Sequence, residues 1–188
     1  MSRVILASAS PRRRELMLLL DIPFEIIPAV GPEYVPEGAG PEEAVLALSR
    51  TKAREVAQAH PDNLVIGADT VVAIDGVILG KPADAADAAR MLRLLSGREH
   101  RVYTGVTVIA NGKTLSRAEM TRVFFRDMTE EEIQSYIATG EPMDKAGAYG
   151  YQGRASVYVQ RIEGDFFNVV GLPLCRLGTM LKELGVIS

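Results

Sequence analysis

The run from Leu64 to Ile74 is the segment that most constrains the fold. Its sequence, Leu-Val-Ile-Gly-Ala-Asp-Thr-Val-Val-Ala-Ile, is apolar at both odd and even positions. This pattern is typical of a central strand that is covered on both faces. Predicted helices precede and follow the run along the chain, and they can supply the two covering layers. We therefore predict an α/β fold with a mixed, twisted sheet and flanking helices.

The remaining predicted elements are short strands and helices that intermix along the chain. Asn111-Gly112 joins two strands, because this dipeptide suits a tight hairpin turn. No repeat, low-complexity tract or linker divides the sequence, so we expect a single domain over residues 1–188. The predicted strands are 3–7, 24–27, 77–79, 101–110, 114–126 and 156–162, and the predicted helices are 12–20, 41–60, 84–95, 129–138 and 174–184.

The amino-acid composition argues against several kinds of site and partner. One cysteine and two histidines are too few for a typical zinc site or an internal disulfide. A net charge of −3 creates no overall positive field for nucleic acid or an anionic membrane. The apolar stretch near the N-terminus is too short for a signal peptide, and no apolar run reaches the roughly 18 residues of a membrane span. We expect a cytoplasmic protein without a nucleic-acid or membrane partner.

Three consecutive arginines, Arg12 to Arg14, stand in the first turn of a predicted helix. Ser10 has the residue type of an N-cap, and Pro11 suits the first helical position. Cations are unfavourable at the positive end of a helix dipole unless an anion lies beside them. The helical spacing turns Arg12 and Arg13 inward and Arg14 away. We interpret Arg12 and Arg13 as phosphate ligands; the alternative is three solvated arginines.

Lys52 lies at the centre of the apolar stripe of the helix predicted at 41–60. Arg50 and Arg54 point the other way on the same helix. One interpretation is a lysine whose stem is buried and whose ammonium reaches solvent. The other is an ammonium that reaches a carboxylate or a phosphate inside the molecule.

Asp69 lies within the apolar run 64–74. An ionised carboxylate there is costly to bury unless it is paired, hydrogen-bonded or bound to a metal. Gly67 and Ala68 leave space for another group to approach the backbone beside it. A functional carboxylate and a structural ion pair are both compatible with the sequence.

Two loop residues give weaker signals. Lys81, in Gly80-Lys81-Pro82, follows the short hairpin after residue 74 and so comes near Asp69. Glu33 lies in the loop 28–40, which is long enough to indicate a role. Solvated side chains are the alternative for both.

Taken together, these residues are suited to polyphosphate chemistry. Arginine and lysine hold phosphate oxygens, and carboxylates can hold Mg²⁺ or Mn²⁺ and activate water. Hydrolysis of a nucleoside triphosphate is the leading hypothesis. The residue types leave open which phosphoanhydride breaks and which base is bound.

At these residues the sequence resembles the Maf family of nucleoside triphosphate pyrophosphatases. The resemblance covers nearly the whole chain, and its blocks occur in the family's order. The N-terminal block, Ser-Ala-Ser-Pro-Arg-Arg-Arg-Glu-Leu at 8–16, is similar to the family motif SxSPRRxEL. The later blocks are Gly-Ala-Asp-Thr at 67–70, Gly-Lys-Pro at 80–82, Ser-Gly-Arg-Glu-His at 96–100, Val-Tyr-Thr-Gly-Val at 102–106, Asp-Lys-Ala-Gly-Ala-Tyr-Gly-Tyr-Gln-Gly at 144–153 and Val-Val-Gly-Leu-Pro-Leu at 169–174.

The resemblance implies a fold, a reaction and residue roles. The fold would be two-lobed, related to the inosine triphosphate pyrophosphatases, with a cleft between the lobes. The reaction would be cleavage between the α- and β-phosphates, with a divalent cation, to a nucleoside monophosphate and pyrophosphate. Asp69 would accept the proton of the attacking water and also contact the metal, and Glu33 would be a metal ligand. The triphosphate ligands would be Ser8, Arg13, Lys52 and Lys81.

The block at 144–153 resembles the subgroup that acts on dTTP and UTP, and the subgroup that acts on 7-methyl-GTP differs there. Arg12, Thr70 and Gln152 fall on that subgroup's specificity positions. A glutamine amide offers one donor group and one acceptor, which suits the edge of a pyrimidine. The resemblance also implies a homodimer.

Three alternatives stay open at the sequence level. Modified pyrimidine nucleotides could be the substrates, because one methyl group changes discrimination by only about 10–200-fold. The substrate could instead be 7-methyl-GTP. The chain could also be a regulator linked to cell division that binds a nucleotide without hydrolysing it.

Overall fold

The protein is described here by a computed structural model that covers residues 3–187. The chain alternates strands and helices, with three 3₁₀ turns at Glu141–Asp144, Ala146–Ala148 and Arg154–Tyr158. The strands are β1 Val4–Leu6, β2 Phe24–Ile26, β3 Leu64–Ile74, β4 Val77–Leu79, β5 Glu99–Ala110, β6 Lys113–Phe125 and β7 Val159–Glu163. The helices are α1 Pro11–Leu18, α2 Pro41–Ala59, α3 Ala85–Leu95, α4 Glu130–Ile137, α5 Phe166–Val170 and α6 Leu174–Glu183.

The strands form one mixed sheet in the order β2-β1-β3-β5-β6-β7, with β4 added to β3. One edge of β3 pairs with β5 over Val65–Ala73. The opposite edge pairs with β1 at 64–66 and with β4 at 72–74. Within residues 3–187, no strand pairs with that edge over 67–71. This gap in the ladder opens the sheet beside Asp69 and Thr70.

Helix α2 packs closely on one face of β3 and β5, because glycines replace side chains beneath it. A Cβ at Gly67 would lie 2.5 Å from the Ser49 carbonyl oxygen of α2, and one at Gly105 would overlap the Val45 carbonyl. Helices α1, α5 and α6 cover the opposite face. The sheet is therefore covered on both faces, as the apolar run predicted.

Two hydrophobic cores lie at the two ends of the long strands. One core gathers α3, α4 and the far ends of β3, β5 and β6 around Leu92 and Tyr136. The other gathers α1, α6 and β1 around Leu6 and Leu177. The gap in β3 lies between them, so the structure has the two lobes and the cleft that the resemblance implied.

Most predicted elements are confirmed within one to three residues. Ser10 caps α1, Asp84 caps α3, and Thr129 forms a capping box with Glu132 at α4. The turn at 111–112 has positive φ at both residues, as a type I′ hairpin requires. None of the helices among the described residues is long and apolar enough to cross a membrane.

The strand predicted at 156–162 is wrong in its first half, because Arg154–Tyr158 forms a 3₁₀ turn before β7. Ala155 and Tyr158 are both buried, and a spacing of three residues places them on one side of such a turn. Helix α5 was not predicted. Its five residues are too few for a helical period, and its first turn is held by Asp165, which accepts a hydrogen bond of 2.8 Å from the Phe167 N–H.

Candidate active site

A cavity of about 800 Å³ occupies the cleft at the gap in β3. Nine candidate residues are scattered along the sequence from position 8 to position 152. The structure brings all nine to the wall of this one cavity, and they are Ser8, Arg12, Arg13, Glu33, Lys52, Asp69, Thr70, Lys81 and Gln152. Their roles stay proposals, but their proximity is a property of the fold.

The first wall is the turn between β1 and α1. Arg13 is held in place by protein groups: its Nε donates to the Gly171 carbonyl at 2.8 Å, and its two terminal nitrogens donate to Ser8 Oγ at 3.2 Å and Thr70 Oγ1 at 3.1 Å. Burial lowers the pKa of this guanidinium, partly offset by Asp69. Arg12 also lines the cavity, whereas Arg14 is exposed. The helical spacing predicted this difference.

The second wall is a cluster of one ammonium and two carboxylates. Lys52 Nζ lies 2.5 Å from Asp69 Oδ1 and 2.8 Å from Glu33 Oε1. The side chains of Lys52 and Asp69 are 18% and 14% exposed, whereas that of Glu33 is 59% exposed. The hydrogen bond to Lys52 and the charges around it hold the pKa of Glu33 below its usual range. Lys52 therefore reaches an internal carboxylate, the second of the two interpretations offered for it.

The loop that carries Glu33 is anchored from α2. Glu55 accepts hydrogen bonds from the backbone N–H groups of Val30 and Gly31 at 2.8 and 3.0 Å. This contact fixes the start of the loop and brings Glu33 over the end of Lys52. Glu55 was not singled out from the sequence, because an acidic residue in a helix is usually solvated.

Thr70 lies next to Asp69 but points to the opposite face of β3, as alternate strand residues do. Its Oγ1 accepts from Arg13 and lies 2.8 Å from Thr104 Oγ1. Thr104 is fully buried and donates to the Asn168 carbonyl oxygen at 2.9 Å. A neutral chain of hydrogen bonds therefore runs from Arg13 into the protein.

The far wall comes from the lobe built on the core around Leu92 and Tyr136, which is called the second lobe below. Lys81 and Gln152 are exposed, and within residues 3–187 neither makes a side-chain hydrogen bond or ion pair. The Gly147 N–H donates to the Gly80 carbonyl at 3.1 Å, which ties the two segments together. Both side chains are thus free to contact a molecule in the cavity.

Lys145 is a fifth cation of the cavity. Its ammonium donates to Asp144 Oδ1 at 2.7 Å and to the Glu141 carbonyl at 2.8 Å, and its stem lies against Gly150, where a Cβ would come within 2.5 Å of Cε. Lys145 and Arg12 both contribute to holding the pKa of Asp144 low, Lys145 more strongly. Five cations and three carboxylates line the cavity, so this part of an acidic chain has a local excess of two positive charges.

The carboxylates of the cavity determine whether it can bind a divalent cation. No group of three or more His, Cys, Asp or Glu residues that could hold a metal occurs among the residues described. Two carboxylates, Glu33 and Asp69, converge on Lys52 Nζ, and its single positive charge leaves the cluster with one net negative charge. Mg²⁺ is commonly held by one or two carboxylates together with phosphate oxygens and water. The residues present therefore fit a metal that binds together with a polyphosphate.

Besides Glu55 and Lys145, sequence reasoning missed Thr104, Gly171 and Asn168 as residues of the site. Thr104 gave no signal, because threonine is common in strands. The position of the Gly171 carbonyl depends on chain packing. Asn168 did leave a signal, since an amide within Phe-Phe-Asn-Val-Val must find hydrogen-bond partners once buried.

The fold and the cavity together define a two-lobed α/β protein with a cation-rich cleft beside an acidic pair. The model of the family described as Maf-like protein matches residues 3–184. The chain therefore belongs to the Maf family, as its motifs indicated.

Curated relatives match almost the full length of the chain. A dTTP/UTP pyrophosphatase of Geobacillus sp. (strain WCH70) is 55% identical over 98% of this chain and 100% of its own length. A protein of Bacillus mycoides with the same name is 50% identical over 97% of this chain and 96% of its own length.

Solved structures with a similar fold are distant in sequence. A HAM1 protein from Coxiella burnetii matches with a TM-score of 0.56 and 17% identity, over 97% of this chain and all of that chain. The Ham1 protein of Staphylococcus aureus matches with a TM-score of 0.51 and 13% identity, over 97% and 99%. These matches concern the fold alone, and they show that this chain shares the fold of the HAM1 proteins.

Proposed function

We propose that the protein hydrolyses dTTP and UTP between the α- and β-phosphates, giving the nucleoside monophosphate and pyrophosphate. Membership of the Maf family and the name shared by the near relatives support this proposal. The observation that carries it is the partly buried Asp69 carboxylate, held by Lys52 at the wall of a cavity with a local excess of positive charge.

The triphosphate would bind to Ser8, Arg13, Lys52 and Lys81. Arg13 is already oriented by three hydrogen bonds, so its side chain loses little conformational freedom when a phosphate binds. Lys81 is unpaired within the described part of the chain and supplies a mobile charge. Phosphate oxygens would compete with the carboxylates for Lys52, which loosens the contact between Lys52 and Asp69.

Asp69 would then act as the proton acceptor. A water oxygen forms a bond to the α-phosphorus, the bond from that phosphorus to the bridging oxygen breaks, and the electron pair of the broken bond leaves with pyrophosphate. The proton lost by the water passes to Asp69. A positioned general base of this kind typically contributes about 10²–10⁴-fold to the rate.

Glu33 and Asp69 would hold the divalent cation, Mg²⁺ or Mn²⁺, together with oxygens of the triphosphate. A bound cation of this type neutralises the charge that develops on the phosphate oxygens. Glu33 is the more exposed of the two carboxylates, and its loop position lets it follow a bound substrate.

Base selection would involve Arg12, Thr70 and Gln152. Gln152 lies on the opposite lobe from Arg12 and Thr70, so a nucleotide in the cleft would contact both lobes. The exposed amide of Gln152 offers donors and an acceptor to the edge of uracil or thymine.

The test is a substrate panel with identification of the products. The protein is incubated with dTTP, UTP, CTP, GTP and 7-methyl-GTP plus Mg²⁺ or Mn²⁺, and pyrophosphate and orthophosphate are measured separately. We expect pyrophosphate from dTTP and UTP, lost on addition of a chelator. A preference for 7-methyl-GTP, orthophosphate as the first product, or no turnover at all would contradict the proposal. Adding 5-methyl-UTP and pseudouridine triphosphate decides whether modified pyrimidines are better substrates.

We also propose that the protein assembles as a homodimer and acts in the cytoplasm. Light scattering measures the mass of the particle, and a monomer at working concentration would contradict the first part. Fractionation of cells that produce the protein tests the second.

A further inference from the structure

A buried chain of hydroxyl groups lies behind Thr70. Thr104, on β5, is directly opposite Thr70 in the strand register. Its Oγ1 lies 2.8 Å from Thr70 Oγ1 and 2.9 Å from the main-chain carbonyl oxygen of Asn168. Thr104 and Asn168 are both fully buried, so water does not compete for these contacts.

The number of protons fixes the direction of this chain. A hydroxyl has one proton to donate and two lone pairs. The Asn168 carbonyl can only accept, so the proton of Thr104 points to it. Thr104 must then accept from Thr70, and the proton of Thr70 points inward. Arg13 Nη2 donates to one lone pair of Thr70 at 3.1 Å, which leaves a single lone pair for the cavity.

We propose that Thr104 is a positioning residue that makes Thr70 a fixed hydrogen-bond acceptor toward the substrate. This inference rests on the proposed function and deepens it. A fixed acceptor selects a group that donates and rejects one that can only accept. A phosphate oxygen without a proton is therefore a poor partner for Thr70.

The polarity of Thr70 matters for the base. Uracil and thymine carry an N–H donor at ring position 3, whereas cytosine has a lone pair there. A ribose hydroxyl both donates and accepts, so a fixed direction at Thr70 does not discriminate between sugars. The imide N–H of uracil or thymine is thus the substrate group that this device selects.

The experiment compares Thr104→Val with the unmodified protein. Valine keeps the shape of threonine and removes the hydroxyl, so the proton of Thr70 is released and can turn toward the cavity. The measurement is the ratio of kcat/KM for UTP to that for CTP. We expect the ratio to fall about tenfold, the worth of one hydrogen bond, mainly because CTP improves while UTP changes little.

Two further variants separate this role from a structural one. Thr104→Ser keeps the hydroxyl and should restore the ratio. Thr107→Val removes a fully buried hydroxyl from the same strand, one that contacts Ser49 and Ser116 but not Thr70, and should leave the ratio unchanged. An unchanged ratio in Thr104→Val would overturn the proposal, as would a fall of equal size in Thr107→Val.

A second route is available if Thr104→Val does not fold. Thr70→Val removes the acceptor at the cavity surface, and the same ratio should fall because UTP loses a partner and CTP loses a repulsion. A freely rotating Thr70 would serve both bases, and the ratio would then stay constant, which overturns the proposal. If the unmodified protein released no pyrophosphate from either substrate, the proposed function itself would have failed, and this outcome is distinct from an unchanged ratio.

Discussion

Polar side chains on the two faces of β3 have different kinds of partner. On one face, Asp69 is paired with Lys52 of α2, and the contact joins full charges. On the other face, Thr70 joins Thr104 and the Asn168 carbonyl through neutral hydrogen bonds. Adjacent residues of one strand thus belong to two kinds of network.

This difference indicates that one face of β3 serves the chemical step and the other serves substrate recognition. A charged pair beside a cavity can exchange partners when a polyphosphate brings new charges, so the Lys52 face suits the chemical step. A closed chain of neutral hydrogen bonds keeps one arrangement, because each buried group would be costly to leave unpaired. The Thr70 face therefore suits recognition.

The largest effect is expected from Asp69→Asn. Asparagine has nearly the same shape and contacts but cannot take a proton from water. We expect kcat for pyrophosphate release to fall about 10³-fold, while nucleotide affinity measured by calorimetry stays within a few fold. Asp75→Asn, at the turn that ends β3, is the matched control. Undiminished turnover in Asp69→Asn would remove this carboxylate from the reaction.

Lys52→Gln removes the only cation that the described structure places between Asp69 and Glu33. A hydrogen bond to a charged group contributes about 1.5–3 kcal/mol, so we expect kcat/KM for dTTP to fall roughly 10–100-fold. Lys113→Gln, at the exposed tip of the long hairpin, controls for the change of net charge. A kcat/KM equal to that of the unmodified protein would mean that Lys52 serves only as a structural partner of the carboxylates.

Gly105→Ala tests the close packing that brings α2 to the sheet. A Cβ at this position would overlap the Val45 carbonyl and force the helix outward. We expect the free energy of unfolding to fall by roughly 1–3 kcal/mol, measured by urea denaturation, together with a lower kcat because Lys52 moves away from Asp69.

Gly178→Ala is the control for a glycine that has free space. No atom lies within 4 Å of a Cβ built there, and the residue is inside α6, where alanine favours the helix by up to about 1 kcal/mol. We expect a small gain in stability and no change in kcat. Equal losses of stability in both variants would show that the close approach of α2 to β5 does not depend on the absence of a side chain at Gly105.

The same comparison shows how far the sequence predicts the site. Arg12, Arg13, Lys52 and Asp69 were recognised because each is charged where its own helix or strand pattern calls for something else. The contact between Lys52 and Asp69 could not be predicted, because it depends on how closely α2 approaches β3. That distance is set by Gly67 and Gly105, and a glycine in a strand has several possible causes.

The neutral network was invisible for a different reason. Threonine at positions 70 and 104 is ordinary in a strand, and only the strand register places the two side chains opposite each other. Residues 156–158 were predicted as strand but belong to the 3₁₀ turn at 154–158, although valine and tyrosine are residue types that favour strands. Ala155 and Tyr158 are buried in the core around Leu92 and Tyr136, and this burial determines the local structure at 154–158. Local pattern thus found the misplaced charges but not the neutral groups that packing brings together.

The smallest predicted effect concerns a neutral buried pair in the second lobe. His100 is almost completely buried. Its Nε2 lies 2.7 Å from the Tyr149 hydroxyl, and the edge of its ring packs against Phe125. Burial lowers the pKa of His100 to about 3. If the core around His100 tolerates only neutral groups, acidification should weaken the fold before it charges the histidine.

The direction in which the free energy of unfolding changes with pH follows from proton binding. Below the usual histidine pKa of about 6.5, the unfolded chain binds a proton at His100 and the folded chain does not. Stability from the neutral histidine is therefore present above that value and is lost as the pH falls toward 3. Between pH 6.5 and 5.5 we expect the free energy of unfolding to fall by about 1 kcal/mol from this residue. His100→Gln, which can still hydrogen-bond Tyr149, should remove that part of the pH dependence in urea denaturation.

His60→Gln makes the same substitution at the end of α2, outside this core, and is the control for losing a histidine. If His100→Gln and the unmodified protein lost stability equally between pH 6.5 and 5.5, the second lobe would accept a charge at His100. The contrast between a face that exchanges charges and regions that exclude them would then hold only around β3. If the pH dependence disappears in His100→Gln alone, the core around His100 excludes a buried charge, whereas the cleft holds the charged pair of Lys52 and Asp69.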